Sequence, residues 1–414
     1  MNIIKCIAGR NNPLQPGSVC SPISMPAFPL RTLLLAGLIG FSRLAPAQPA
    51  FEINKLATPG NTPPVWVSIS GFTGEAAQVL EFDLYVQGFG FTNAENAQYL
   101  ISGSNNGSVQ GRVMDRFNKS VLVSKAYTGA ALRRQVHAFA DDFVQALGRK
   151  GIAQTKIAFK VATSPAGRTS EIYVSDFDGY GAQAVTRDNM ITAAPCWVPG
   201  RFMLYYDSYK LGNPAIFSHD LSTGVRKTVA WYGGSSMSPA VSPDGRKVAM
   251  ILSKDGWTDL YVADADGSNP KRLTRSPEDE SSPCWSPDGQ WICFATRINE
   301  RRMLCKVPAL GGPSQRISTT GVLNPTEPDW SPDGKWIAFT AQMGGFEICV
   351  VPSQGGQVTE LVAGEDPSWA PNSRTLIFSR RSTGRLSLLD VPTKQVKDVT
   401  RVSSGENSQP SWAR

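Results

Sequence analysis

A twelve-residue stretch, Pro328–Phe339, constrains the fold of this chain most, because near-copies of it recur down to the last residues. The stretch reads Pro-Asp-Trp-Ser-Pro-Asp-Gly-Lys-Trp-Ile-Ala-Phe. The aromatic position of the anchor falls at residues 197, 241, 285, 330, 369 and 412, so the steps are 44, 44, 45, 39 and 43 residues. This period is typical of four-stranded propeller blades. Internal repetition of this kind therefore predicts a β-propeller.

The residue types within each anchor predict a tight turn followed by a buried strand. In Ser-Pro-Asp-Gly, proline presets φ at the second turn position and glycine supplies the left-handed conformation. The apolar runs that follow, such as Trp291–Phe294 and Trp336–Phe339, are typical of buried strands. A second half-motif, exemplified by Asp259–Gly267, follows each anchor, and there are six such halves. Helical repeats are excluded, because the units lack a long 3.6-residue periodicity.

The two ends of the repeat region predict how the propeller closes. The sixth anchor ends at Arg414 without its own next strand, whereas Lys156–Phe159 matches that strand and has no anchor before it. We therefore expect both ends to pair in one blade, which removes an exposed sheet edge. The fold class predicted is mainly β, with a six-bladed β-propeller over residues 155–414.

The chain before the propeller predicts a small α/β domain over residues 65–151. The apolar patterns of successive segments predict a strand, a helix, several strands and a second helix, in that order. This order implies helices packed on a sheet. Gly88-Phe89-Gly90 lacks the third glycine of a dinucleotide loop and predicts a turn. Residues 48–64 are polar and proline-rich, which indicates an extended tail. The expected elements are Val65–Ser70, Glu75–Gln87, Gln98–Ser102, Ser108–Phe117, Val121–Ala126 and Ala131–Leu147.

Residues 1–47 have the pattern of a secretory signal peptide. The apolar run Leu33–Phe41 follows Arg31 and precedes Ala45-Pro46-Ala47, a small-residue cleavage site. The alternative is a membrane anchor, but a membrane-spanning helix needs roughly 20 residues and this run is far shorter. Met25 would give a compact leader and is the expected translation start.

Export also bears on the charge of the chain. Removal of the leader takes away four basic residues and no acidic one, so the net charge falls from +7 to +3. This balance is too small to indicate a nucleic-acid partner. No nucleic acid and no stable membrane insertion are therefore expected.

The cysteines leave two alternatives open. The mature chain keeps five, an odd number that cannot all pair internally. Counting from a hairpin centred near Asn299 places Cys293 opposite Cys305, so a disulfide is conceivable in an oxidising compartment. The other alternative is that the thiols are small buried hydrophobic side chains.

Few residues in the chain fit a catalytic or metal site. His137 and His219 are the two histidines, so the chain has too few histidines to favour a histidine-rich metal site or a histidine-centred triad. His137 lies in an amphipathic helical pattern, which predicts a surface or boundary residue rather than a general base. No serine elbow, zinc-binding helix motif or phosphate loop occurs. We expect no enzymatic activity, no cofactor and no metal.

The loops of the predicted propeller provide the candidate binding site. The loop that enters each anchor and the hairpin between the second and third strands of each blade open on the same face, and the entering loops lie nearest the channel. Loops on a rigid scaffold commonly carry binding, although single residues there can be solvated turns. This arrangement predicts a polar, partly acidic ring formed by the entering loops, inside a rim of arginine and lysine side chains from the hairpins. The candidate ring residues are Ser235, Ser238, Glu280, Ser281, Ser282, Asn324, Thr326, Glu327, Glu365, Asp366, Ser408 and Gln409.

These repeats resemble the WD40-like propeller repeats of the TolB family. The shared features are the Pro-x-Trp-Ser-Pro-Asp-Gly anchor and a later Asp-Gly plus Leu-Thr half. An export signal, a small α/β domain ending in the helix Leu132–Leu147, and Lys156–Phe159 also appear in the family order. The resemblance covers most of the chain. Two departures are Val241 in place of the repeat tryptophan and the aspartate missing from Val198-Pro199-Gly200.

The resemblance implies a non-enzymatic, monomeric periplasmic component of the Tol–Pal envelope system. The propeller would bind the peptidoglycan-associated lipoprotein Pal at its channel mouth, and the N-terminal region would communicate with the inner-membrane protein TolA. Alignment on the anchors implies Pal contacts at Ser235, Ser238 and Ser281, with the neighbours Glu280, Ser282 and Glu327.

Two rival functions remain open for a propeller of this kind. One is an intrinsic lyase or glycan-binding activity, which needs only a few channel residues. The other is the accessory half of an exported peptidase, which would require an additional hydrolase domain.

Overall fold

The structure is a computed structural model that describes residues 59–164, 168–399 and 405–414. The predicted signal peptide and most of the predicted tail lie outside these residues. The described residues belong to one compact unit, Asn54–Arg414. Within them, no helix combines the length and apolar character needed to cross a membrane.

The first part of the described chain is a five-stranded sheet with two helices packed against it. The strand order is β2-β1-β3-β4-β5, with β2 and β3 parallel to β1 and the remaining pairs antiparallel. Apart from the additional short strand β2, the order of strands and helices is the predicted one. The elements are β1 (Val65–Ser70), α1 (Gly74–Tyr85), β2 (Phe89–Phe91), β3 (Tyr99–Ser104), β4 (Val109–Asp115), β5 (Val121–Tyr127) and α2 (Leu132–Ala146).

Two predictions for this part are wrong. The segment 88–90 is not only a turn, because Phe89–Phe91 forms the edge strand β2 beside β1. Gly88 takes a left-handed φ of 87° after α1, and the chain then returns to the sheet as β2, which runs parallel to β1. His137 is not a surface or boundary residue, since it is 2% exposed and pairs with buried Asp83 on α1.

In the part of the chain after α2 that the structure describes, six four-stranded antiparallel sheets are present, and their number confirms the predicted propeller. The closing blade begins with β6 (Lys156–Ala162), β7 (Ser170–Asp176) and β8 (Gln183–Ala184). Blade one contains β9 (Thr192–Trp197), β10 (Met203–Leu211), β11 (Asn213–Asp220) and β12 (Arg226–Ala230). Blade two contains β13 (Ser236–Val241), β14 (Lys247–Leu252), β15 (Asp259–Asp264) and β16 (Lys271–Arg272).

The remaining blades follow the same pattern, with an additional two-stranded pairing between β21 and β25. Blade three contains β17 (Glu280–Trp285), β18 (Trp291–Ile298), β19 (Arg301–Pro308) and β20 (Gln315–Ile317), and β21 (Thr319–Thr320) follows it. Blade four contains β22 (Thr326–Trp330), β23 (Trp336–Gln342), β24 (Phe346–Pro352) and β26 (Thr359–Ala363), with β25 (Gly356–Gln357) between the last two. Blade five contains β27 (Glu365–Trp369), β28 (Thr375–Arg380), β29 (Arg385–Asp390) and β30 (Gln395–Asp398).

The last strand, β31 (Asn407–Trp412), completes the closing blade by pairing antiparallel with β6. Trp412 lies opposite Ile157 in this pairing, and its indole N–H donates to Thr155 Oγ1 at 2.8 Å. The predicted closure by the two chain ends is therefore confirmed. This pairing gives the closing blade the same four strands as the other blades, and β6 is not left as an exposed edge strand.

Local hydrogen bonds explain why Ser-Pro-Asp-Gly recurs at the anchor turns. Ser331 Oγ donates to Asp333 at 2.6 Å and accepts the Trp336 N–H at 3.0 Å. The Asp333 carboxylate in turn accepts the Lys335 N–H at 3.1 Å. Gly334 has a φ of 76°, which confirms the predicted left-handed glycine. The same bonds recur at Ser242 with Asp244 and at Ser286 with Asp288.

One hydrophobic core spans the α/β part and the propeller. Phe139 and Phe143 of α2 belong to the same buried cluster as Phe159 of the closing blade. Polar contacts add to this junction, because Thr375 Oγ1 of blade five donates to the Val86 carbonyl at 3.0 Å. Thr375 follows an anchor turn, so the α/β part lies on the anchor-turn face. The entering loops lie on the opposite face of the disc.

The predicted alternative of a Cys293–Cys305 disulfide is wrong. The five cysteines among the described residues are free thiols. The β18–β19 hairpin turns at two residues, 299 and 300, so Cys293 lies opposite Lys306 and Cys305 lies opposite Phe294. A slip of one residue places two strand side chains on opposite faces of a sheet.

Candidate functional site

The first strand of every blade carries a bulge next to its anchor proline. The pairing register between the first and second strands shifts at this point in all six blades. The residue just before the proline has a left-handed backbone in each case, with φ between 47° and 56°. We call these six residues the mouth ring. Its members are Ala194, Ser238, Ser282, Glu327, Asp366 and Gln409.

The backbone of the mouth ring is strained. Left-handed φ values are uncommon for residues other than glycine, and a residue before proline is normally extended. Each such conformation costs on the order of 1–3 kcal/mol and persists only where the surrounding structure holds it. Bulges of this kind re-aim side chains, and they are frequent at binding sites. The sixfold repeat therefore marks the mouth ring as the candidate site.

A chain of hydrogen bonds links neighbouring members of the mouth ring. The Asp366 N–H donates to the Glu327 carboxylate at 3.1 Å, and the Gln409 N–H donates to the Asp366 carboxylate at 3.0 Å. The Ala194 N–H continues the series by donating to Gln409 Oε1 at 3.0 Å. Each side chain thus satisfies the bulged backbone of the next blade. This arrangement couples blades four, five, closing and one through adjacent contacts.

Ser238 uses a different acceptor. Its N–H donates to both carboxylate oxygens of Asp207 on β10, at 3.0 and 3.1 Å. Asp207 is buried, and burial raises its pKa to about 8 although the bond from Ser238 opposes the shift. Burial also raises the pKa of Asp366, and the neighbouring Glu327 raises it further. The mouth is therefore less negative at neutral pH than its carboxyl count suggests.

Below the mouth ring, the first strands of all six blades enclose a channel cavity of about 490 Å³. Its far end includes the anchor-turn prolines and an ion pair between Asp329 and Arg414. Cys196 lines the cavity, but burial raises the pKa of its thiol to about 11, which makes it a poor nucleophile. Among the residues the structure describes, no three histidine, cysteine or acidic side chains converge as metal ligands would.

The structure brings most of the candidate residues together around the channel mouth. Five belong to the mouth ring, and Ser281, Thr326, Glu365 and Ser408 each directly precede a ring member. Ser235 and Asn324 lie three positions before their ring members and are partly exposed.

Glu280 differs from the other candidates because it is 5% exposed. Its carboxylate accepts the Leu260 N–H at 2.9 Å and the hydroxyl of Thr274. It therefore holds β15 against the entering loop and does not offer its side chain at the surface.

Two residues of the site were not predicted from the sequence. Ala194 is the sixth member of the mouth ring, and Asp207 supports Ser238 from the second strand of blade one. Ala194 could have been found as the residue before the anchor proline in every repeat. Asp207 has no such signal, because its role depends on a neighbouring blade.

The outer part of the same face exposes large apolar side chains, which we call the apolar crescent. Seven of them lie on entering loops and outer hairpins of blades one to four, with exposures between 37% and 62%. Basic residues of the predicted rim lie among them, including Lys254, whose amine is 5.2 Å from the Tyr232 ring centre. Exposed apolar patches commonly mark protein interaction surfaces. The crescent consists of Met190, Leu211, Trp231, Trp257, Ile298, Leu323 and Met343.

Comparisons with known proteins agree with this architecture. The crystal structure of TolB from Acinetobacter baumannii matches with a TM-score of 0.77 and 22% identity, covering 86% of this chain and 98% of that one. A nidogen/laminin complex matches with a TM-score of 0.53 and 11% identity over 63% of this chain and 98% of that chain. At these identities both likenesses concern the fold alone.

Sequence comparisons reach further. The family described as TolB beta propeller domain matches residues 143–414. The Tol-Pal system protein TolB of Bordetella parapertussis is 30% identical over 333 residues, which is 77% of this chain and 75% of that relative. On this family match and this relative, the chain belongs to the TolB family.

Proposed function

We propose that this protein is a non-enzymatic periplasmic adaptor of the Tol–Pal system. In this role, the channel mouth binds a Pal-like peptidoglycan-associated lipoprotein, and the N-terminal region contacts a TolA-like inner-membrane protein. The relative from Bordetella parapertussis is named for that system. Membership of the TolB family supports the same role for this chain.

The observation that carries the proposal is the combination of features on one face of the disc. The mouth ring holds six strained residues around the channel, and the exposed apolar residues of the crescent lie on the loops and hairpins of four of the six blades. Strained loops on a rigid scaffold are pre-organised, so they lose little conformational entropy on binding. The α/β part contacts the opposite face, and the crescent is available to a partner.

The proposed contact set follows from exposure. It keeps the partly exposed candidates and omits Glu280, whose carboxylate is committed to Leu260 and Thr274. Leucine and tryptophan side chains of the crescent would supply apolar area, and the mouth would supply polar contacts that fix orientation. The contact set is Ser235, Ser238, Ser281, Ser282, Asn324, Thr326, Glu327, Glu365, Asp366, Ser408 and Gln409.

Isothermal titration with the purified Pal-like lipoprotein of the same organism tests the proposal. Leu323→Glu places a charge on the crescent, and we expect it to weaken binding roughly tenfold. Leu310→Glu is the matched control, because Leu310 is 88% exposed on a turn of the anchor-turn face. We expect this control to bind as the wild type does.

A second variant tests the mouth itself. Ser281→Arg adds a bulky cation beside the mouth ring on a partly exposed residue, and we expect it to weaken binding as well. Absence of lipoprotein binding to the wild type, or equal affinity of all three variants, would contradict the proposal.

A further inference from the structure

Blade three carries two cysteines opposite each other on its first two strands. Cys284 of β17 and Cys293 of β18 are direct partners in the antiparallel pairing. They are 8% and 0% exposed, and both belong to the buried cluster between blades three and four. Direct partners in such a ladder place their side chains on the same face, with Cα atoms about 4.5–5.5 Å apart. This separation lies within the range that a disulfide spans.

The other blades show that the fold does not need a cysteine pair at these positions. Blade two has Ala240 opposite Ala249 there, and blade one has Cys196 opposite Tyr205. The corresponding pairs of the three remaining blades contain no cysteine. A blade therefore folds with alanine at both positions, and packing alone does not explain two sulfur atoms in blade three.

The two thiols of this pair are in contact, and the third cysteine of the blade is not available to them. Burial and a hydrogen bond with the Cys293 thiol both raise the pKa of the Cys284 thiol well above its usual value. Cys305, on the next strand, lies opposite Phe294 and belongs to the buried cluster on the other face of the sheet. Cys284 is therefore the one cysteine of blade three that Cys293 can reach.

We propose that Cys284 and Cys293 form a disulfide when the chain folds in an oxidising compartment. This inference rests on the periplasmic location given under the proposed function, because disulfides form and persist in such compartments. The structure holds the reduced form of the pair, with both side chains as thiols. The oxidant is an external disulfide, carried by a small thiol or by an oxidoreductase.

The oxidation proceeds by two thiol–disulfide exchanges. One cysteine thiolate attacks a sulfur of the external disulfide, which forms a mixed disulfide and releases one thiolate. The second cysteine thiolate then attacks the protein sulfur of the mixed disulfide and releases the other thiolate. Two protein thiols are thereby oxidised to one disulfide, and the external disulfide is reduced to two thiols, which take up the two protons.

Burial places this reaction before blade three packs against blade four. The thiolate is the attacking form, and a buried thiol with a raised pKa supplies little of it. We therefore expect the refolding chain to be oxidised much faster than the folded, reduced protein. The disulfide would join β17 to β18 across the anchor turn Ser286–Gly289, two residues beyond Ser282 of the mouth ring. Such a cross-link stabilises the fold by restricting the unfolded chain.

Refolding of the reduced, denatured full chain with glutathione disulfide tests the proposal. Both cysteines lie in one tryptic peptide, residues 276–297. After free thiols are blocked with iodoacetamide, mass spectrometry should find this peptide with an internal disulfide and no blocking group. Folded, reduced protein exposed to the same oxidant for the same time should yield mainly the peptide with two blocking groups.

Thermal unfolding with and without a reductant tests the same pair independently. The reductant should lower the thermal midpoint of the oxidised wild type, because the unfolded chain regains the freedom that the cross-link removed. Cys284→Ala should show no such difference, and it should fold because blade two has alanine at that position. Cys305→Ala is the matched control at another buried cysteine of the blade. It should keep both the linked peptide and the response to reductant.

Three results would overturn the proposal. They are two blocked cysteines in the peptide 276–297 of the refolded wild type, a link from Cys293 to Cys305, and a response to reductant that persists in Cys284→Ala. Equally fast oxidation of the folded protein would refute the order of events. Free thiols in protein taken directly from cells, together with a linked peptide after refolding, would contradict the proposed periplasmic location and leave the pairing confirmed.

Discussion

His137 Nδ1 lies 2.7 Å from Asp83 Oδ2, and both side chains are buried where α2 meets α1 and the closing blade. His137 Nε2 is also 3.9 Å from Asp178 Oδ2, on a propeller turn. Arg133 bonds the same Asp178 carboxylate. The two helices are therefore attached to the propeller by a buried cluster of charged groups as well as by the hydrophobic core.

Loss of one member of this cluster should destabilise the protein strongly. In His137→Ala, the Asp83 carboxyl loses the one side-chain partner it has among the described residues and stays buried. We expect the free energy of unfolding to fall by about 3 kcal/mol, the usual cost of breaking a buried pair. Urea unfolding measures it. Glu81→Ala, at an exposed position of α1, is the control and should change stability by less than about 0.5 kcal/mol. Equal stability of the two variants would contradict the role given to His137.

Asp207 should make stability depend on pH. Burial raises its pKa from 3.8 to about 8, so between these values the folded state holds a proton that the unfolded state has released. The stabilisation that comes from this bound proton is complete below pH 4. It is lost as the pH rises toward 8, at up to about 1.4 kcal/mol per pH unit.

Asp207→Asn removes the titration and keeps an acceptor for the Ser238 N–H. We expect the difference in unfolding free energy between wild type and variant to shift in favour of the variant as the pH rises from 5 to 8. Urea unfolding at several pH values measures this difference. A difference that stays constant over that range would show that Asp207 does not titrate there.

Two glycines that follow helices should respond differently to alanine. Gly88 and Gly148 both have positive φ, at 87° and 72°, so alanine strains either backbone by roughly 1 kcal/mol. A Cβ at Gly148 meets open space, whereas a Cβ at Gly88 collides with the guanidinium of Arg374. Arg374 forms a partly buried ion pair with Asp390 at 2.9 Å. Gly88→Ala should therefore lose at least about 1 kcal/mol more than Gly148→Ala in thermal or urea unfolding. Similar losses would mean that Arg374 moves aside freely.

The closing blade should depend on Trp412. Its side chain is 2% exposed, and it packs near Phe177 with ring centres 6.3 Å apart. We expect Trp412→Ala to lower the unfolding free energy by about 3–5 kcal/mol, the range for large core aromatics. Trp257→Ala is the control, because that side chain is 53% exposed, and its effect should be small. Calorimetry checks both. A small effect at Trp412 would indicate that closure adds little stability.

The repeat count, the anchor turns and the closure of the ring could all be predicted from the sequence. These features depend on contacts between near neighbours or on a pattern copied in every repeat. Ser331, Asp333 and Gly334 form their turn with residues at most five positions away, so the same letters produce the same bonds in each blade. The pairing of β31 with β6 was visible because each end carried half of a unit that is complete elsewhere.

Other features depended on residues far apart in the chain, and the local pattern carried no sign of them. His137 was predicted to be at the surface because its partner Asp83 is 54 positions away on another helix. The burial of Glu280 depends on a neighbouring strand, and the Ala194 N–H finds its acceptor 215 positions away. The hairpin turn differs by one residue from the expected one, so Cys293 lies opposite Lys306 and not opposite Cys305. Sequence periodicity reflects local structure, because it depends on residues close together in the chain. Burial and charge pairing depend on which residues far apart in the chain come into contact in the fold.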